Sequence, residues 1–407
     1  MHPMPSYRCA CRALCIFSLL LACVATTACT AYDATRMKDM EKLADDLKKD
    51  PDVAKKLPAP KIGEVTVDLE TYFDKAYHYS VYLPKKYDPK VEWPVIFCNS
   101  PGGNAKTYCE AYKDFADEFG WILCGSTECS NTVAGDGQFE NNFCMILDAS
   151  FRFNVHAPMS IMLGFSGGAR VGAATCFGRN FPTLAGTIQM GAGHGPFPPT
   201  AQKNKQIYLL VGTKDSNNAE TKAFAKECLA AGHKTVLIEW DGDHDNAPPA
   251  LVREAIRWQT ETFLKTNADK SPATLRLRKE YIARFIKAAT DSEPAGNKVA
   301  TYVLYRAAVD EGATIPLGAD VKKDLDEIQN KKMKELAKDK EVKRECDCYN
   351  ELKGLMGWAE KLPATKAGWQ TAPPSFDALA KKYAGTPSAA TATAQSKLYA
   401  DKAAAAK

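Results

Sequence analysis

Between Gly63 and Leu264, short apolar runs of strand length alternate with amphipathic stretches of helix length, and few folds are open to a chain with that rhythm. Val65–Leu69 and Tyr79–Leu83 alternate in polarity as half-buried strands do. Pro94–Phe97, Trp121–Gly125, Ser160–Phe165, Leu184–Met190, Gln206–Val211 and Lys234–Trp240 are further strand candidates. The run at Gln206–Val211 is almost wholly apolar, the pattern of a strand covered on both faces. Ala105–Phe119, Asn141–Phe153, Ala169–Phe177, Ala219–Ala231 and Pro248–Leu264 read as the intervening helices. Repeated βα units predict an α/β fold, a mostly parallel sheet with helices on both faces.

Past residue 268 the rhythm stops. Pro272–Ala289, Lys298–Asp310, Asp320–Glu345 and Tyr349–Lys361 carry helical patterns and no strand follows, which predicts an all-helical region over 269–399. A chain of 407 residues is long enough for two domains or more. The dense, sign-mixed charge of Asp320–Glu345 marks a solvated helix face. Phe376–Tyr399 resembles one helix–turn–helix unit of the tetratricopeptide type, and residues 400–407 are a low-complexity tail. The helical region carries no distinctive catalytic residue types and is expected to dock a protein partner or act as a spacer.

The first thirty residues read as an export signal. Arg8 and Arg12 precede an apolar core at Ala13–Ala25 that is too short to span a bilayer. Leu20-Leu21-Ala22-Cys23 and Thr26-Thr27-Ala28-Cys29 both approximate the acylation site of bacterial lipoproteins, so a lipid anchor at Cys23 or Cys29 stands beside simple cleavage near Ala31. Residues 31–62 form a charged spacer, with a short helix expected at Met37–Lys49, before the folded part begins. The expected location is outside the cytoplasm: periplasmic, envelope-anchored or extracellular. Cysteine usage agrees with that. Cys98, Cys109, Cys124, Cys129, Cys144, Cys176, Cys228, Cys346 and Cys348 follow the signal, and a bridge within Cys98–Cys144 is expected. No ligand spacing for a metal is present, and a net charge of +4 with both signs interspersed excludes a nucleic-acid footprint.

Three segments carry chemistry, each at a strand end. Gly164-Phe165-Ser166-Gly167-Gly168 closes a strand and opens a helix, so small residues allow a sharp turn that lifts the Ser side chain above the sheet. Asp215 follows the Tyr208–Val211 strand, where open α/β sheets build their sites. His244 lies in Trp240-Asp241-Gly242-Asp243-His244-Asp245-Asn246, again between a strand and a helix. Ser166, an acidic residue and His244 supply a nucleophile, an orienting carboxylate and a general base; Asp241, Asp243 and Asp245 compete with Asp215 for the second role.

Ser166…Asp215…His244, in that order and at strand ends, resembles the α/β-hydrolase superfamily over residues 63–268. Within it, GFSGGAR, VGTKDSNN and GDHDNAPP are most similar to secreted feruloyl esterases and polyhydroxybutyrate depolymerases. The resemblance implies a cofactor-free serine esterase acting through an acyl-enzyme, with an ester as substrate, and Asp215 as orienter because it comes from a separate strand end. It also implies an oxyanion hole formed by the N–H of Gly167 and one from Asn99-Ser100-Pro101-Gly102-Gly103. Relatives usually carry His-Gly where this chain has Asn99-Ser100, and the following residue donates; here it is Pro101, which has no N–H, so either the donor shifts to Gly102 or Gly103 or this half of the hole is impaired. His194, after the next strand, is expected to line the pocket. Tyr108, Tyr112 and Phe139 are candidates for an aromatic wall, and His78, His156 and His233 for structural or exposed positions. The stretch from Ser166 to Asp215 has no room for an inserted cap, so an open cleft suited to bulky or polymer-attached esters is expected. A peptidase or thioesterase on the same residues, or a non-catalytic envelope lipoprotein, are the alternatives.

Overall fold

The computed structural model describes residues 57–405 except 104, 134 and 179–182, and in addition Asp39, Lys42 and Asp46. The signal segment, both anchor cysteines and most of the predicted Met37–Lys49 helix lie outside the described residues. The described residues divide into two compact units, one ending at Ala268 and one beginning at Asp269.

The first unit is built on an eight-stranded sheet in the order β1-β2-β4-β3-β5-β6-β7-β8. The strands are β1 Val65–Glu70, β2 His78–Tyr82, β3 Trp93–Asn99, β4 Ile122–Ser126, β5 Val155–Phe165, β6 Gly186–Met190, β7 Gln206–Gly212 and β8 Lys234–Trp240. Only β2 runs against its neighbours β1 and β4; every other pairing is parallel. Strands β3, β4, β6 and β7 are buried along their whole length, as two-sided cover requires. The helices are α1 Lys106–Phe119, α2 Gly135–Arg152, α3 Gly167–Phe177, α4 Asn218–Ala230 and α5 Pro249–Thr266.

Helices α1 and α5 cover one face. Gly125 admits the backbone of Ala105, just before α1, where a Cβ would stand 2.6 Å from the Ala105 oxygen, and Trp121 donates from Nε1 to Thr260 Oγ1 of α5 at 3.0 Å. Helices α2, α3 and α4 cover the other. Met145, Ile146 and Ala149 of α2 pack on Val95, Phe97, Cys124 and Met162, and Ala173 and Phe177 of α3 pack with Phe224 of α4 on Ile207 and Leu209. A buried polar knot ties this layer to the sheet. Asp148 accepts from Tyr79 Oη (2.6 Å), Tyr72 N (2.8 Å) and Arg152 Nε (2.5 Å).

Three expectations change here. The helix predicted from Asn141 begins at Gly135, and the strand predicted from Ser160 begins at Val155, because Trp93 of the neighbouring strand pairs with Val155 across a register shift. The cysteine bridge is absent: Cys98, Cys109, Cys124, Cys129, Cys144, Cys176, Cys228, Cys346 and Cys348 form no disulfide, and all but Cys346 are buried. Most sit in packed core as small apolar side chains, and burial pushes the thiols of Cys109, Cys129 and Cys228 up to about 12.

The second unit is entirely helical among the described residues. Pro272–Ser292 and Lys298–Thr314 form an antiparallel pair, and Asn297 caps the second helix by accepting from Ala300 N. The single helix predicted over Asp320–Glu345 is interrupted. Ala319–Glu327 passes into a π-helical turn, Ile328–Met333, and a short return, Lys334–Leu336; a new helix then runs from Lys340 to Ala359. Asp339 starts it by accepting from Glu341 N and Val342 N, a local capping signal that helical periodicity alone conceals. The separate helix predicted at Tyr349–Lys361 is the second half of this one. Ala372–Lys382 and Pro387–Ala405 make the helix–turn–helix pair, with Phe376 stacked on Tyr399 at 5.8 Å. The last helix continues through the low-complexity segment to Ala405, and Ala403 is buried. Glu345, fully buried, accepts from Arg306 Nη1, Ser388 Oγ and Ser388 N and joins three helices of this unit.

Candidate active site

Strand β5 delivers Ser166 onto a turn with φ 50° and ψ −119°, a conformation that L side chains rarely adopt. Two glycines make that turn possible. A Cβ on Gly164 would stand 2.5 Å from the Gly168 carbonyl carbon, and one on Gly168 would stand 2.3 Å from the Asn99 oxygen. The turn is anchored from the next strand, because Ser166 N donates to Met190 O at 2.9 Å. Ser166 is thereby raised at the carboxyl end of the central strand, half-exposed, with α3 starting beneath it.

His244 reaches it from the loop after β8. Its Nε2 lies 2.9 Å from Ser166 Oγ and its Nδ1 lies 2.9 Å from Asp215 Oδ1. The Asp215 side chain is fully buried, while that of His244 is 34% exposed, so the relay runs from a dry carboxylate to an accessible hydroxyl. An ionised carboxylate only accepts, which places the imidazole proton on Nδ1 and leaves Nε2 free to take the Ser166 hydroxyl proton. Asp241, Asp243 and Asp245 are all exposed, and Asp241 pairs instead with Lys214 at 3.0 Å.

Several residues that the motifs did not single out hold this arrangement. Asn217 donates from N to Asp215 Oδ1 (2.7 Å) and from Nδ2 to Gly191 O (2.8 Å), tying the β7 and β6 loops together. The Asp-x-Asn spacing is a turn signal that was legible in the sequence. Phe165 lies under the imidazole, ring centroids 4.8 Å apart. Gly191, with φ 61°, approaches both Asp215 and His244: a Cβ there would stand 2.9 Å from Asp215 Oδ2 and 3.2 Å from His244 Nδ1. Lys214 N donates to Gly242 O, and Tyr108 Oη donates to Asn246 Oδ1 at 3.0 Å, which fastens the His244 loop to β7 and α1.

The other expected site residues fare differently. Gly167 sits in the first turn of α3, where an N–H makes no intrahelical bond. Gly103 N donates to Ser100 O at 3.2 Å and is thus engaged in its own turn; Gly102 N is directed at Ser100 Oγ at a long 3.4 Å. His194 is turned toward α4: its ring packs on Phe224 and its Nε2 lies 3.2 Å from Glu227, and none of these partners belongs to the Ser166 relay. The same stretch is held by Arg170, which forms a bidentate pair with Glu220. Tyr108 and Tyr112 stack together on α1, whereas Phe139 meets Phe197 on the α2 side, so the three do not form one wall. His78 pairs with Glu128, His156 with Glu92, and buried His233 bridges Lys205 N and Pro199 O. Among the described residues, no group of His, Cys, Asp and Glu is gathered to hold a metal, and no helix is long and apolar enough to cross a membrane.

A mostly parallel sheet with one antiparallel strand, a serine on the strand–helix turn at its centre, and an acid and a histidine on later strand ends define an α/β-hydrolase fold. Solved structures similar to this chain include a ferulic acid esterase, at 14% identity over 49% of this chain and 98% of that one, with a TM-score of 0.41. Thermogutta terrifontis esterase 2 is similar at 13% identity over 52% and 98%, with a TM-score of 0.38, and a Pyrobaculum calidifontis esterase at 11% over 59% and 97%, with a TM-score of 0.40. No protein-family description matches the chain, and no curated protein matches it.

Proposed function

We propose that this protein is an exported serine hydrolase that cleaves carboxylic esters through an acyl-enzyme. The observation that carries the reading is the continuous relay from Asp215 through His244 to Ser166, with both links at 2.9 Å. His244 Nε2 takes the hydroxyl proton as Ser166 Oγ bonds to the ester carbonyl carbon. The resulting oxyanion is met by the Gly167 N–H. As the tetrahedral intermediate collapses, the carbon–alkoxy bond breaks and His244 returns the proton to the leaving alcohol. Water then repeats the sequence on the acyl-serine, releasing the acid and restoring the hydroxyl. Asp215 keeps the proton on Nδ1 and stabilises the imidazolium. Between β5 and β7 the described residues hold α3, β6 and a three-residue turn at Pro199–Ala201; an open cleft taking bulky or polymer-attached esters is part of this reading. Export, and anchoring at Cys23 or Cys29, rest on the N-terminal sequence alone. The test is hydrolysis of p-nitrophenyl acetate and butyrate by the purified chain. Turnover above background that disappears in Ser166→Ala, with unchanged melting, supports the proposal; turnover surviving in that variant defeats it.

A further inference from the structure

We infer that the side-chain amide of Asn131 supplies the second hydrogen bond to the oxyanion, beside the Gly167 N–H. This rests on the esterase reading above and assigns one further catalytic residue to it. The strand-end loop that would ordinarily provide a second backbone donor is compromised in three ways. Pro101 has no N–H. Gly103 N is bonded to Ser100 O at 3.2 Å. Gly102 N faces Ser100 Oγ at 3.4 Å.

That same loop is joined to the segment after β4. Asn131 N donates to Pro101 O at 2.8 Å, and Gly102 pairs with Ser130 in an isolated antiparallel bridge. The junction aims the Asn131 side chain at the nucleophile turn. Its Oδ1 lies 1.7 Å, and its Nδ2 3.1 Å, from the point a Cβ of Gly167 would occupy. The carboxamide therefore lies directly over Gly167, the residue that follows the nucleophile, and only a glycine there leaves it room. Asn131 is exposed, and neither carboxamide atom has a hydrogen-bond partner among the described residues, so half a turn about the last side-chain torsion presents Nδ2 to the oxyanion without breaking a bond described there. A carboxamide is suited to the task, since it is a neutral donor whose loss costs turnover and not ground-state binding.

The experiment uses the full chain with p-nitrophenyl butyrate and, as an oxyanion probe, a trifluoromethyl ketone that adds Ser166 reversibly. In Asn131→Ala we expect kcat to fall about 10²–10³-fold with KM within about twofold, and probe affinity to fall by a comparable factor. Asn131→Asp keeps the shape but removes the donor and adds an anion, so it should be at least as damaging. Both variants should melt with the wild type, because the side chain is exposed. An unchanged kcat, a loss confined to KM, or an Asn131→Asp variant with wild-type turnover overturns the inference while leaving the esterase reading intact. A wild-type chain without Ser166-dependent turnover overturns both.

Discussion

Gly168 presses against the carbonyl of Asn99 so closely that a Cβ on it would stand 2.3 Å from that oxygen and 2.9 Å from Ser100 N. The contact joins the Ser166 turn to the loop after β3, and both partners there are backbone, so neither yields by a side-chain rotation. Gly168→Ala should therefore lower the melting temperature and reduce ester turnover together, at a cost of about 1–3 kcal/mol or more for overpacking. Gly354→Ala, inside the Lys340–Ala359 helix where nothing lies within 4 Å of a new Cβ, is the control; it should leave turnover unchanged and hold or slightly raise the melting temperature. Equal melting of the two variants would contradict the close approach.

Asp215 is distinguished from its acidic neighbours by geometry. Asp215→Asn should reverse the preferred imidazole tautomer and lower kcat by about 10⁴-fold. Asp243→Asn should change kcat by less than about threefold, because Asp243 is exposed and the His244 Nδ1 bond goes to Asp215. Steady-state kinetics on both variants decide the matter, and comparable losses would mean that the orienting role is shared.

The thiols offer a chemical test of burial. Eight of the nine cysteines after the signal are buried, and desolvation raises Cys176 to about 11 and Cys109, Cys129 and Cys228 to about 12. The thiolate is the reactive form, so at pH 8 these groups are overwhelmingly neutral. In a chain beginning at residue 31, a disulfide reagent should titrate Cys346 rapidly in the native state and all nine thiols only after denaturation. Fewer than nine in denaturant without reductant would reveal a bridge.

Within the second unit, Glu345 has the most to lose. Its buried carboxylate accepts from Arg306, whose side chain is 12% exposed, and from both the N–H and the hydroxyl of Ser388. Glu345→Ala leaves a cation and a backbone N–H without their partner, which costs about 3–5 kcal/mol. The melting transition of this unit should fall accordingly, while kcat on small esters stays at the wild-type value. An unshifted melt would show that water replaces the carboxylate at no cost.

The chain divides by contacts after Ala268, and every residue of the Ser166 relay precedes that point. A chain ending at Ala268 should stay soluble and cleave p-nitrophenyl acetate at close to the full-length rate. Aggregation, or loss of activity on so small an ester, would make the helices part of the catalytic core.

What the sequence determined by itself was local. The strands were legible because burial on both faces demands apolar runs such as Gln206–Val211, and the Ser166 turn because Gly164 and Gly168 are needed where the backbone of Ser166 turns to φ 50°. The strand ends carrying Asp215 and His244 were legible for the same reason, since each is punctuated by a change from apolar run to turn residues. Tertiary structure decided what lies between residues remote in the chain. Sequence spacing contains no distance, so only the parallel alignment of β5, β7 and β8 sets His244 Nε2 2.9 Å from Ser166 Oγ across 78 positions. The pairing that lengthens β5 to Val155, the turning of His194 toward Glu227, and the placing of Asn131 over Gly167 all depend on neighbours from other elements. Free cysteines belong with them. The same count of thiols is compatible with bridges or with core packing, and burial decides between the two.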